Sequence, residues 1–157
     1  MSDQRPAPRR FVVPTANRRH VTRGEPSRAR FDVVALDGDT DVVLVPEHSR
    51  AGWEDVAELT GAPWVAPVLV DASDRESYPT GEVVVRFAEP PSDAELRRIE
   101  RAEQVRAVRR NSYVASQVVF APAQPEGMYL PDLCARLEQR HDVASVWLST
   151  KSRYTKG

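Results

Sequence analysis

One cysteine, two lysines and three histidines are all that this 157-residue chain holds of those residue types. A lone Cys134 excludes an internal disulfide and a cysteine-built metal site. It falls at an apolar helical spacing in LPDLCARL, which predicts a small core residue rather than a reactive thiol. His20, His48 and His141 have no Cys or His neighbours at ligand spacing, so no metal is expected. No run approaches the ~18 apolar residues of a membrane helix. The N-terminus has basic residues without the apolar stretch of a secretory signal. Those two absences lead us to expect a cytoplasmic protein with no membrane contact. There is no glycine-rich phosphate loop. His48 lies between Glu47 and Ser49, but adjacent residues cannot form a triad, whose members converge from separate segments. We therefore expect no enzyme and no cofactor.

The charge is nearly balanced but unevenly spread. The net formal charge is −1, with 22 basic and 23 acidic side chains. Eight arginines against Asp3 and Glu25 make residues 1–30 strongly basic, and the remainder is acidic. Such a division suits self-docking or an anionic partner. The excess of Arg over Lys, with abundant Ala, Pro and Val, reads as coding bias of a GC-rich bacterial genome.

Three stretches follow from composition and periodicity. Residues 1–30 contain Pro6, Pro8, Pro14 and Pro26 and predict a flexible basic arm, with only FVVP at 11–14 able to form a short edge strand. Residues 31–75 predict a small ββαβ-like unit. FDVVAL and DVVLV flank Asp37-Gly38-Asp39-Thr40, a hairpin signal. Trp53, Val56 and Leu59 fit a helix face that Gly61 stops. WVAPVLVD at 64–71 is a strand whose Pro67 predicts an edge or a bulge, and 72–81 is loop.

From Gly81 to Gly157 the pattern is strand, helix, two strands, helix, strand. EVVVRF at 82–87 is β-branched and alternating. Ser92 with Glu95 forms a capping box, and Leu96, Ile99 and Ala102 make the buried stripe. Residues 105–122 are two strands turning near Asn111 or Ser112. Leu130, Leu133, Cys134 and Leu137 recur at i, i+3, i+4, i+7 on a helix opened by Pro131. His141 is a favourable charge at its C-terminal end, and VASVWLS at 143–149 closes the unit. The fold class is α+β: a C-terminal ferredoxin-like βαββαβ antiparallel sheet with two helices on one face, after the small unit and the arm.

The residues of this half carry a resemblance. PTGEVVVRF, SDAELRRIERAEQVRAVRRNSYVASQVVF and LPDLCARLEQRHDVASVW are similar to the prodomain, or propeptide, of subtilisin-like serine proteases, the peptidase-inhibitor family, over about half the chain. Asp142-Val143-Ala144-Ser145-Val146-Trp147 corresponds to the closing acidic turn and strand. Leu148-Ser149-Thr150 departs from the Pro-led segment that often follows in the family. The protease signatures Asp-Ser/Thr-Gly, His-Gly-Thr and Gly-Thr-Ser-Met/Ala do not occur. The resemblance implies an inhibitor or folding assistant that acts in trans on a subtilisin-like serine protease. Its helix-free sheet face would pack on the enzyme, and its C-terminal tail would lie in the cleft as an added strand. On that basis Trp147, Leu148, Ser149, Thr150, Lys151, Ser152, Arg153 and Tyr154 are the expected partner-binding residues, with Leu148 or Tyr154 filling a pocket. Two other readings stand beside it. One is a structural adaptor of a bacterial protein complex that kept the fold without inhibition. The other is a nucleic-acid-binding protein, for which Arg106, Arg109 and Arg110 supply charge but the aromatic signature is thin.

Overall fold

The computed structural model describes residues 4–15, 31–47, 49–123 and 127–152. His48, Arg153, Tyr154 and the whole stretch from 16 to 30, His20 included, lie outside these. Among the described residues the chain is an α+β domain of nine strands and three helices. The elements are β1 (Arg5–Pro14), β2 (Asp32–Ala35), β3 (Thr40–Leu44), α1 (Trp53–Thr60), β4 (Trp64–Val70), β5 (Glu76–Phe87), α2 (Asp93–Glu103), β6 (Val105–Arg110), β7 (Gln117–Pro122), β8 (Met128–Tyr129), α3 (Leu130–Glu138) and β9 (Val143–Lys151). One path of strands runs β2-β3-β1-β4-β5-β7-β6; β8 joins β4, and β9 joins β5.

The second half follows the expected βαββαβ order, consistent with a ferredoxin-like arrangement. Its strands lie in the order β9-β5-β7-β6, all antiparallel. The Ser92 hydroxyl accepts from the Glu95 N–H at 3.2 Å, and Glu95 Oε1 accepts from the Ser92 N–H at 3.5 Å. That capping box starts α2, and Gln104 ends it at φ 57. Ile99 is buried and Leu96 partly so, but Ala102 is exposed. The inward place falls instead to Glu103, whose carboxylate lies between Arg136 and Arg140. Leu130, Leu133 and Leu137 are fully buried where α3 packs on β9, β5 and β4.

The first half differs from the expected ββαβ unit and arm. Arg5–Pro14 is an interior strand, paired with β3 on one side and β4 on the other. Pro8 is tolerated because the register with β4 shifts between Pro6 and Phe11, where Arg9 adopts φ 62, and Pro6 and Pro14 lie near the two ends of the strand. The Arg9 guanidinium donates to the Pro46 and Ser49 carbonyls and anchors this irregular stretch. β4 is interior as well, not an edge. Pro67 has no N–H to offer, and it sits in the gap between the residues of β4 that pair with β8 and those that pair with β5. Residues 76–81, expected as loop, open β5, and a register shift between Pro79 and Val83 absorbs Pro79 and Gly81.

The two halves repeat one topology. β1, β2, β3, α1 and β4 correspond in order to β5, β6, β7, α3 and β9. The strand order β2-β3-β1-β4 matches β6-β7-β5-β9. Residues 16–30, which occupy the place of α2 in the chain order, are outside the described residues. The apolar core is shared between the halves. Val12, Val42, Trp64, Ala66 and Val68 belong to the same cluster as Tyr78, Val83, Phe120, Leu130 and Leu133. A second cluster, including Val13, Val43, Val56 and Val65, lies between the first sheet and α1.

Lys151 fastens the end of β9 to the β2–β3 turn through an ion pair with Asp37. Partial burial opposes ionisation of Asp37. The Lys151 ammonium, with N–H and hydroxyl donors of Asp39 and Thr40, outweighs it and holds the carboxyl at about 2. A folded-state pKa below the ordinary 3.8 gives stability that is complete above that value and is lost as pH falls from 3.8 toward about 2. We expect acid unfolding of the Lys151→Ala protein to begin at higher pH than that of the parent, as read by circular dichroism across this window. Coincident curves would show that the pair contributes nothing.

Candidate functional site

Each sheet has one face without helices, and the register defines a row of four residues across each. In the second half the row is Trp147–Val84–Val119–Arg109, on β9, β5, β7 and β6. The neighbouring row is Ser145–Arg86–Gln117. Val83, Val85 and Phe87 alternate to the opposite face and pack with Ile99, Leu133 and Leu137. The equivalent row in the first half is Ala66–Val12–Val42–Val34.

These rows have different surroundings. Val12 and Ala66 have no solvent exposure and join the shared core. The first helix-free face is therefore spent on holding the two halves together. In the second half Trp147 is 42% exposed, and Arg86, Ser145 and Arg109 are exposed. Val84 and Val119 lie in the floor between them and are buried by these neighbours. The face is apolar at its centre and carries guanidinium groups of Arg86 and Arg109 with one indole at its margin.

A bulge arranges the charged side. The register of β6 on β7 shifts between Ala107 and Arg109, leaving Val108 unpaired and exposed. The Ala107 N–H donates to Glu100 Oε2 at 2.8 Å. Beyond the bulge Arg109 is on the helix-free face, where Nη1 and Nη2 donate to Glu82 Oε2 and Oε1 at 3.0 and 2.8 Å. This bidentate pair raises the Arg109 pKa and fixes the guanidinium over the sheet. Alternation alone would put Val108 in that place, so the sequence pattern gives no sign of it. Arg110 turns away and donates to the Pro91 carbonyl at 2.7 Å. Tyr113, in the β6–β7 loop, is 95% exposed.

The expected tail residues are distributed differently from a free extended segment. Trp147 is on the open face. Leu148 is on the opposite face, packed against the core. Ser149, Thr150 and Lys151 continue β9; Thr150 and Lys151 pair with Pro79 and Tyr78. The Thr80 hydroxyl donates to the Ser149 carbonyl at 3.3 Å. Ser152 is exposed just past the strand end, and Arg153 and Tyr154 lie outside the described residues. Residues 147–151 are thus built into the sheet, because β5 begins early enough to offer them partners.

Along the outer side of β9 runs a cleft of about 1060 Å³, floored by α3 and walled opposite by Pro6, Pro67 and Leu69. Cys134 lines it; burial, then the nearby Glu138 carboxylate, pushes its thiol up to about 12, so it stays protonated and inert. Among the described residues no three His, Cys, Asp or Glu side chains converge as metal ligands, and no helix is long and apolar enough to cross a membrane. No protein-family model, curated protein or solved structure matches the chain significantly.

Proposed function

We propose that this protein is a non-catalytic binding module whose second, helix-free sheet face docks on a partner protein. We propose a subtilisin-like serine protease as that partner, inhibited or assisted in folding in trans, and a ferredoxin-like identity for the second half. One observation carries the docking reading: of two equivalent sheet faces, the first buries Val12 and Ala66 in the core shared by the halves, whereas the second leaves Trp147 and Arg86 exposed beside the apolar floor of Val84 and Val119 among the described residues. An apolar floor rimmed by an indole and guanidinium groups has the composition of a protein interface centre. The choice of partner rests on the resemblance of residues 81–157 to protease prodomains. Since residues 147–151 belong to β9, the sheet face rather than the tail is the principal contact in this reading.

Mixing the chain with a purified subtilisin-like protease tests it. Peptidase activity should fall on mixing, or refolding yield should rise. The double change Trp147→Ala, Arg86→Glu should weaken the effect by at least about 30-fold, the equivalent of ~2 kcal/mol for interface anchors. Removal of residues 153–157 should weaken it far less. Unchanged activity and refolding with the parent chain would dismiss the protease reading. Arg86 and Arg109 on the same face as Trp147 also give nucleic acid a specific foothold. However, Glu82 already neutralises Arg109 and adds a carboxylate to the same face, which disfavours phosphates.

A further inference from the structure

We propose that the outer edge of β9 is a strand-addition site for an extended segment of a partner polypeptide, apolar and uncharged along its length, with a lysine or arginine at the end beside Glu138. The internal repeat shows what such an edge takes. β4 is the counterpart of β9, and on the edge of β4 away from β1 the chain places β8, an extended Met-Tyr pair from the other half, and the first residues of β5. Among the described residues β9 pairs with β5 alone.

The edge is also unguarded. Residues 143–150, Val-Ala-Ser-Val-Trp-Leu-Ser-Thr, hold no charge, proline or glycine. Edge strands ordinarily carry such residues to prevent pairing. The edge strand β6 has Arg106, Arg109 and Arg110 together with the Val108 bulge, and the edge strand β2 is four residues long and begins with Asp32. Among the described residues, β9 from Val143 to Thr150 lacks that protection.

The cleft beside it selects the occupant. Pro6, Pro67 and Leu69 form a wall facing β9, with Pro131 and Ala135 of α3 below. A cleft lined by apolar residues from β4 and α3 beside the strand suits an extended chain. Among the described residues the single charged side chain on the lining is Glu138, at the C-terminal end of α3. Among the described residues it makes no ion pair, whereas Arg136 and Arg140 are engaged with Glu103. A carboxylate next to a helix C-terminus favours a cation twice over. Main-chain hydrogen bonds to β9 would supply affinity, and the apolar walls would take alternate side chains.

The probes are the fluorescent peptides Lys-Val-Thr-Val-Thr-Val and Val-Thr-Val-Thr-Val-Lys, blocked at both ends, because an added strand can run either way. One of them should bind the full chain saturably and shift the backbone amide signals of 144–150. N-methylation of alternate peptide nitrogens should abolish binding. Glu138→Lys, on an exposed helix position, should weaken it at least about tenfold while circular dichroism stays unchanged. Arg86→Glu should leave it unchanged, so that this site and the open sheet face fail separately. Absence of saturation by both peptides, equal binding of the N-methylated forms, or a sedimenting dimer with amides 144–150 already protected would overturn the proposal.

Discussion

Gly81→Ala is expected to lower folding stability by about 2–5 kcal/mol, a large part of the ~5–15 kcal/mol of a domain this size. Two costs combine. Gly81 has φ 98, a conformation in which an L side chain is strained by about 1–2 kcal/mol. An added Cβ would also stand 2.7 Å from the Trp64 ring. Trp64 is only 8% exposed and lies in the shared core, so it has nowhere to retreat. Overpacking of that kind adds about 1–3 kcal/mol. Chemical denaturation followed by tryptophan fluorescence measures the loss. A change below ~0.5 kcal/mol would mean that the β4–β5 contact is looser than described.

Leu133→Ala should cost about 2–5 kcal/mol, and both halves should feel it together. Leu133 is fully buried on α3, in the cluster that also holds Val12, Val42 and Ala66 of the first sheet. If that cluster is continuous, the β1–β3 region cannot remain folded when α3 detaches. Hydrogen exchange of β1 and β3 amides should accelerate in the variant as much as that of β5 and β7 amides. Acceleration confined to residues after 76 would show two independent folding units.

The second half was largely legible because its signals are local. The Val83, Val85, Phe87 alternation, the Ser92–Glu95 box and the Leu130, Leu133, Leu137 spacing each depend on neighbours within one turn or strand. The first half was read less well because its strands depend on distant partners. RPAPRRFVVP has three prolines and reads as an arm, yet β3 and β4 hold it between them, the irregular register near Arg9 accommodates Pro8, and Pro6 and Pro14 lie near the strand ends. Pro67 announced an edge or a bulge: β4 is no edge, but the irregular register of β1 on β4 begins beside Pro67, and on its other side no strand pairs with that position. The repeat shows in the strand order, which local patterns do not specify.

The candidate site was legible as a type of surface and not as a set of residues. The helix-free face follows from the βαββαβ order. Its membership does not, because the Val108 bulge exchanges Val108 for Arg109 and the early start of β5 draws residues 147–151 into the sheet. The cleft beside β9 needs the packing of the first half against the second, which no local pattern encodes.

The measurement closest to the central claim is the amide spectrum of the isotope-labelled chain during titration with an inactivated subtilisin-like protease. The account expects shifts or broadening centred on residues 82–86, 117–121 and 145–149, with α2 and α3 little changed. A saturating complex whose perturbations centre on the helices, or a spectrum unchanged in excess protease, would contradict it.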